Sequence, residues 1–347
     1  MAFCEVRHML WNFKVYEEPG VLFADRVVEA EEAPFDQVEE LMKPGVEEGR
    51  KLLAVLTPAE GEPVLCPRQE HDDGSFEEVA ETVTGMLGEG EAFAAAARCD
   101  AALRGAHGHD PELQLLAASI YEHIRFWDMA IPLLEKVARA WEDLRQAAVK
   151  IRLARALKKG GKVEDVSEML EEPLEHPELP AILKVEGLLL KAMCKEKEES
   201  LELLDELLDF AEESLGDHRL VADALELHAD ILSEDEPKKA EQFYLAAGKM
   251  LVSLQDPYFF SLNERFVVHF LKHESYREAL NLSHEMFELL KQAGGPPVAA
   301  VPYFVFASRA HKALGDTEQS LSATKTAHTI NKVEAKRLEQ MLETMLN

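Results

Sequence analysis

Four stretches of the sequence have the residue types and spacing that chemistry needs. His107-Gly108-His109-Asp110 puts two imidazoles and a carboxylate within four positions, donors that suit a divalent metal. "LKKGGK", Leu157 to Lys162, joins a glycine pair to lysines, as a phosphate-cradling loop does. Cys4, Cys66, Cys99 and Cys194 offer thiols. Arg145 to Lys162, "RQAAVKIRLARALKKGGK", holds seven Lys or Arg residues and no acid, in a chain of formal net charge -29.

The first three fail on what their chemistry requires. The His-Gly-His-Asp run falls between two helical patterns, so it reads as a solvated turn. "LKKGGK" lacks the Gly-x-x-x-x-Gly-Lys-Ser/Thr order and a preceding strand. The cysteines are far apart, with no Cys-x-x-Cys and no Cys/His cluster, which excludes a zinc ribbon and suits buried thiols in a reducing compartment. No element positions a Ser/His/Asp or Cys/His set. The expectation is a protein that is not an enzyme and uses no cofactor or metal.

Charge narrows the partners. Asp and Glu outnumber Lys and Arg by 66 to 37 in 347 residues. Such a surface repels nucleic-acid phosphates and anionic headgroups at long range, which argues against a nucleic-acid binder. "MAFCEVRHMLWNFKVYEEPG" carries charges throughout and is no signal peptide. No run approaches the roughly 20 apolar residues of a membrane helix, so no membrane insertion is expected and the protein reads as soluble and cytoplasmic.

What positions the basic stretch is a repeat. Ala118 and Tyr121 are followed by Ala130, Leu134 and Val137. Ala154 and Leu157 lead to Val166 and Leu170, Val267 and Phe270 to Ala279, Ser283 and Met286, and Ser308 and His311 to Ser320, Thr324 and Ala327. Weaker copies centre on Ala95/Cys99/Ala102, Gly187/Leu190 and Ala240/Tyr244/Ala247. The spacing describes a helical hairpin. Small residues let two helices cross closely, larger ones fill the space beside them, and a short turn such as Gly315-Asp316 reverses the chain. Asp110-Pro111 and Asp256-Pro257 read as helix starts.

On these residues, and on "HKALGDTEQSLSATKTAHTIN" above all, the chain resembles the tetratricopeptide repeat over about residues 76–330. The period runs at roughly 35, 36 and 33 residues and then stretches to about 40, against the ~34 of that family, as in its long-helix members. Any antiparallel helical array with small residues at its crossings shares the spacing. The resemblance implies a mainly α fold, a right-handed α-solenoid of antiparallel helical hairpins with about seven repeats. "NKVEAKRLEQMLETMLN", residues 331–347, places Val333, Leu338, Met341, Leu342 and Met345 near one face. It reads as a C-terminal capping helix, or as an amphipathic helix that binds a partner.

Residues 1–75 break the pattern. Trp11, Phe13 and Val15 alternate with polar neighbours as in a strand, and "VLFADRVVEA" is a second strand. "FDQVEELM" is a short helix stopped at Lys43-Pro44-Gly45. "RKLLAVL" and "PVLCP" make a strand-turn-strand. The expectation is a small α+β module, bounded by the polar Arg68–Ser75.

Along the basic helix Arg145, Arg152, Arg155, Lys159 and Lys162 share one line, with Lys158 alongside. Apolar flanks on both sides wedge the helix between neighbours and leave that line open. The resemblance places such first helices along a concave groove, where Lys184, Lys191, Arg309 and Lys312 would continue the basic strip and Leu115 and Leu188 add apolar contact. Acids such as Glu202, Asp205 and Glu206 lie on second helices. Some tetratricopeptide domains clamp a carboxylate with Lys, Arg and Asn from first helices, but the Asn residues are absent here. Two readings of the strip stand: pairing with the protein's own acids, or a site for an acidic segment of a protein partner. The functional expectation is an interaction scaffold or adaptor. The alternative is a stable subunit of a larger complex that uses the array's edges and the N-terminal module.

Overall fold

The structure is a computed structural model that describes residues 9–17, 21–30, 33–48, 50–59, 63–67, 71–164 and 166–346. Cys4 and Arg68 to Glu70 lie outside the described residues. The chain divides into two compact units, Met1–Cys194 and Lys195–Asn347.

The first unit opens with an antiparallel sheet of order β2-β1-β3-β4, built from β1 (Met9–Glu17), β2 (Val21–Ala30), β3 (Leu52–Pro58) and β4 (Val64–Cys66). Alternation gives the sheet two apolar faces. Trp11, Val15, Ala54, Leu56 and Cys66 pack with Val38 and Met42 of α1 (Phe35–Glu47). Leu53, Val55 and Leu65 join the helical core on the other side. There the Tyr16 ring lies 4.5 Å from Phe126, and Lys14 Nζ lies 3.1 Å from Asp128 Oδ2. One expectation is corrected: α1 does not stop at Lys43-Pro44-Gly45 but runs on to Glu47. Pro44 and Glu40 are solvent-exposed, so the carbonyl that proline leaves unpaired can meet water. Gly45 lets the last turn pass over Leu52, whose Cδ1 would stand 2.7 Å from any Cβ there.

Helices follow: α2 (Phe76–Gly88), α3 (Ala92–Leu103), α4 (Pro111–His123), α5 (Trp127–Ala140) and α6 (Asp143–Lys159). Ser75 and Glu78 form a capping box at the start of α2, and Asp110 caps α4 by accepting from the Glu112 amide at 2.9 Å. Ala95, Ala118, Ala130 and Ala154 are fully buried where helices cross. The helix expected after α6 is instead two single turns, α7 (Val166–Met169) and α8 (Glu171–Leu174), before α9 (Ala181–Ala192). Pro173, Pro177 and Pro180 prevent one continuous helix, while Val166 and Leu170 keep their buried places. Gly187 lets α8 close on α9, since a Cβ there would meet Leu174 Cδ2 at 2.7 Å.

The second unit is α10 (Lys197–Ser214), α11 (Arg219–Leu232), α12 (Pro237–Ser253), α13 (Phe259–Lys272), α14 (Tyr276–Gln292), a 3-10 turn at Pro297–Ala300, α15 (Val301–Ala313) and α16 (Thr317–Leu346). Ala240, Ala247, Ala279 and Ala327 are its buried crossing residues. Helix α16 breaks at Asn331, where φ is -153° and ψ 100°. Beyond the break Ala335, Leu338 and Leu342 are buried. Val333, expected on the same face, is 81% exposed: it lies in the first turn after the break and points to water. The fold is thus mainly α, with helical hairpins in each unit and a small antiparallel sheet at the N-terminal end. Among the described residues no helix is long and apolar enough to cross a membrane.

Candidate functional site

In the first unit, α6 lies between α4 and α9. Ala147, Ile151 and Ala154 bury on one flank of α6, and Val149, Leu153 and Leu157 on the other. The strip between them lines a cleft of about 420 Å³, in which Leu115 of α4, Val149 of α6 and Leu183 of α9 supply apolar wall. Arg145, Arg152 and Arg155 are the cations of that cleft, and each meets an acid of a neighbouring helix. Arg145 Nη1 lies 3.5 Å from Glu112 Oε1, with its guanidinium 5.4 Å above the Trp141 ring. Arg152 donates from Nε to Glu122 Oε2 at 2.7 Å and from Nη2 to Ser119 Oγ at 2.8 Å. Arg155 Nη1 lies 3.2 Å from Glu186 Oε1. Burial pushes the Glu186 carboxyl up, and Arg155 opposes that shift.

The other expected residues lie elsewhere. Lys158 and Lys159 form the last turn of α6, where the helix dipole favours cations. Lys158 Nζ rests on Met193 Sδ; burial pushes its ammonium down, with the Cys194 thiol opposing and Lys159 adding to the shift. Lys191 approaches Glu171 at 4.0 Å, on the α8 side of α9, and Lys184 is half-buried. Neither lines the cleft. Arg309 and Lys312 belong to the second unit. They line a cleft of about 380 Å³ with Ser308, Thr324, Glu339 and Glu343.

The glycines of "LKKGGK" end α6. Gly161 has φ 77° and the Lys162 amide donates to Leu157 O at 2.8 Å, a helix C-terminal motif. Asp110 of the His-Gly-His-Asp run is the α4 cap. Among the described residues no three His, Cys, Asp or Glu side chains are placed to hold a metal.

The second unit carries a denser polar network, away from the basic strip expected from the sequence. Glu226 of α11 is only 5% exposed. It accepts from Arg265 Nε at 3.0 Å and from Tyr258 Oη at 3.1 Å. Arg265 Nη1 also reaches Asp230 Oδ2 at 3.0 Å, and Tyr244 Oη donates to Asp230 Oδ1. Burial raises the Glu226 carboxyl against the pull of Arg265, and it pushes the Tyr258 phenol up to about 12. Nearby, Arg219 stacks 3.9 Å over Tyr258 and pairs with Asp223 and Asp256.

Beside this network a cleft of about 590 Å³ is walled by α11, α13 and the last turns of α16. His269 lines it, with Nδ1 2.7 Å from Ser233 Oγ; burial, then His273, lower its imidazole to about 4. Glu264 also lines it; burial and Glu334 raise its carboxyl to about 7, with only Arg337 opposing. The sequence signal for the network is Asp223, Glu226 and Asp230 on successive turns of one first helix, with Arg265 on the next.

No protein-family model and no curated relative matches the chain. Among solved structures it is similar to BtubC (BKLC) from P. vanneervenii, at 16% identity over 76% of this chain and 93% of that one, with a TM-score of 0.47. It is similar to a Rap protein complexed with competence and sporulation factor, at 15% identity over 77% and 75% of the two chains, with a TM-score of 0.46. The TPR domain of P58(IPK) aligns at 15% identity over 78% of this chain and 98% of that one, with a TM-score of 0.26. Likenesses at these scores establish neither family membership nor activity.

Proposed function

We propose that the chain is a non-catalytic protein-interaction scaffold, and that the cleft beside α6 takes an acidic segment of a protein partner. The observation that carries this reading is the alternation of guanidiniums with apolar side chains from three helices in one cleft of about 420 Å³. The side chains of Arg145 and Arg155 are 70% and 45% exposed, so a partner's carboxylates can reach them. The Arg145–Glu112 pair is exposed on both sides, and such pairs are worth only about 0 to 1 kcal/mol, so exchanging Glu112 for an incoming acid costs little. Burying partner side chains against Leu115, Val149 and Leu183 then adds about 25 cal/mol per Å² of apolar surface. Lys158, Lys159, Lys184 and Lys191 raise the local positive potential and speed encounter. Arg309 and Lys312 offer a separate cationic pair in the second unit.

The test uses two labelled peptides of equal length, one alternating Glu with Leu and one with Gln in place of Glu. The acidic peptide is expected to bind about tenfold tighter at moderate salt and to lose that advantage against Arg145→Glu/Arg155→Glu/Lys159→Glu. Equal binding of the two peptides, or indifference to the triple substitution, refutes the site.

A second reading, a subunit of a larger assembly, is favoured by β2. Among the described residues this ten-residue strand pairs only with β1, and Val27 on it is well exposed. An open edge of that length is a template for a partner strand. A stable stoichiometric complex at native mass, insensitive to salt, would favour this reading over the acidic cleft.

A further inference from the structure

Residues beyond Asn331 form a separate helix. The backbone at Asn331 is extended, and its Oδ1 accepts from the Glu334 amide at 3.1 Å, so the final helix starts afresh with its own cap. Its buried side chains are Ala335, Leu338 and Leu342, with Met341 and Leu346 partly buried against the same core. Open space flanks it on both sides. The cleft of about 590 Å³ has Leu338, Met341 and Met345 as one wall and Val268 and Phe306 opposite. The cleft of about 380 Å³ has Glu339, Leu342 and Glu343 along its other flank. Both clefts open to solvent, so the helix is held along one line of buried side chains between them.

The polar contact under this helix is also poorly matched. Glu264 of α13 faces Glu334 and Arg337 of the final helix, and it acts on the Tyr303 phenol of α15. Asp230, Glu234, Arg265 and Lys272 line the same cleft from α11, the turn after it and α13. Glu334 and Arg337 pair with each other, Nε to Oε2 at 2.8 Å, which leaves Glu264 weakly compensated.

We propose that residues 332–346 are a detachable strap over α13 and α15, and that the face beneath it docks an amphipathic helix of a partner protein. The partner helix would carry the strap's own pattern: apolar side chains at the spacing of Leu338, Leu342 and Met345, preceded by a cation at the place of Arg337. The occupant is read from the molecule itself, because a helix of that chemistry is already seated there. A partner binds by displacing the strap, so its apparent affinity is reduced by the fraction of time the strap stays docked.

The experiment uses the full chain and a fluorescein-labelled peptide of residues 331–347. In the full-length variant Leu338→Asp/Leu342→Asp the strap loses its anchors while the face beneath is unchanged. The peptide is expected to bind this variant at least about tenfold tighter than the wild-type chain. A peptide with the same two substitutions is expected not to bind. Equal affinity for the two chains, or no binding to either, overturns the proposal. So does collapse of the variant's helical circular dichroism or of its cooperative unfolding, because the strap would then be part of the core. A second arm compares pH 6 with pH 8. Binding to the variant should weaken at pH 8, where Glu264 is ionised opposite the peptide's Glu334, and Glu264→Gln in the same chain should remove that difference. A pH difference that survives Glu264→Gln overturns the role given to this contact.

Discussion

The first helices of the two units use the same residue types in different proportion. In Met1–Cys194, Arg145, Arg152 and Arg155 each meet one carboxylate, on Glu112, Glu122 and Glu186. In Lys195–Asn347, Arg265 serves both Glu226 and Asp230, and the phenols of Tyr258 and Tyr244 supply the hydrogen bonds that a second cation would otherwise make. The exposed Arg145–Glu112 pair is replaceable, because each partner can turn to water or to another charge, whereas Arg152 and Arg155 hold carboxylates that are only 15% and 13% exposed. Glu226 is not replaceable in this way, because its side chain is 7% exposed and loss of Arg265 strands its charge, whereas Asp230 is 36% exposed and can turn to water.

The two faces differ most at Arg265. Arg265→Leu leaves the buried Glu226 with a single phenol donor and Asp230 with another. Stranding a buried charge costs roughly 3 to 5 kcal/mol; Arg265 itself is 56% exposed on its side chain, so about 2 to 3 kcal/mol is expected here. Arg145→Leu, which leaves Glu112 49% exposed and hydrated, should cost about 1 kcal/mol or less. Urea unfolding of the two variants measures both. If their midpoints coincide, the two faces do not differ in the way described.

The second effect depends on pH and belongs to the second unit. The Glu264 carboxyl rises from its ordinary 4.5 to about 7 on folding, so its contribution is complete below pH 4.5 and is lost as pH climbs to 7. The His269 imidazole falls from 6.5 to about 4, so its contribution is present above pH 6.5 and is lost as pH drops toward 4. The two trends offset each other between pH 4.5 and 6.5, which makes a broad optimum there. Glu264→Gln removes the loss on the neutral side. It should stabilise the protein at pH 8 by about 1 to 2 kcal/mol, after allowance for the partial exposure of the carboxyl, and by nothing at pH 4. Equal effects at both pH values would show that Glu264 is not the group responsible.

How much of this can be read without coordinates depends on where each residue's partner lies in the chain. Ala118, Ala130, Ala154, Ala279 and Ala327 mark helix crossings because small residues recur locally, and all are fully buried. The alternation around Trp11 and Val15 shows a strand for the same reason. The shared face of Arg145, Arg152 and Arg155 follows from helical spacing alone. Their acids do not, because Glu122 and Glu186 lie about one repeat away and only packing brings them close. Glu226 looks like a solvated acid in sequence; its burial depends on α13 docking Tyr258 and Arg265 against it. The break between α7 and α8 is written in Pro173, and the end of α8 in Pro177 and Pro180, but Val166 and Leu170 mask both by holding the positions of a regular second helix.

Within the first unit the guanidiniums themselves differ in how far they are buried. Arg152 and Arg145 are rungs of the same ladder, but the Arg152 side chain is 22% exposed and also bonds Ser119, whereas that of Arg145 is 70% exposed with Glu112 at 3.5 Å. Arg152→Gln removes a partly buried, charge-assisted pair and should cost about 1 to 2 kcal/mol. Arg145→Gln removes an exposed pair and a weak stacking contact on Trp141, so its cost should stay within about 0.5 kcal/mol. Its effect on binding should be larger in proportion: the Glu/Leu peptide loses a reachable guanidinium, and about a threefold loss of affinity is expected. If Arg145→Gln destabilises as much as Arg152→Gln, Arg145 is a structural rung and cannot trade Glu112 for a partner's carboxylate. If it changes neither stability nor peptide affinity, the accessible end of the ladder is not where the acidic segment lies.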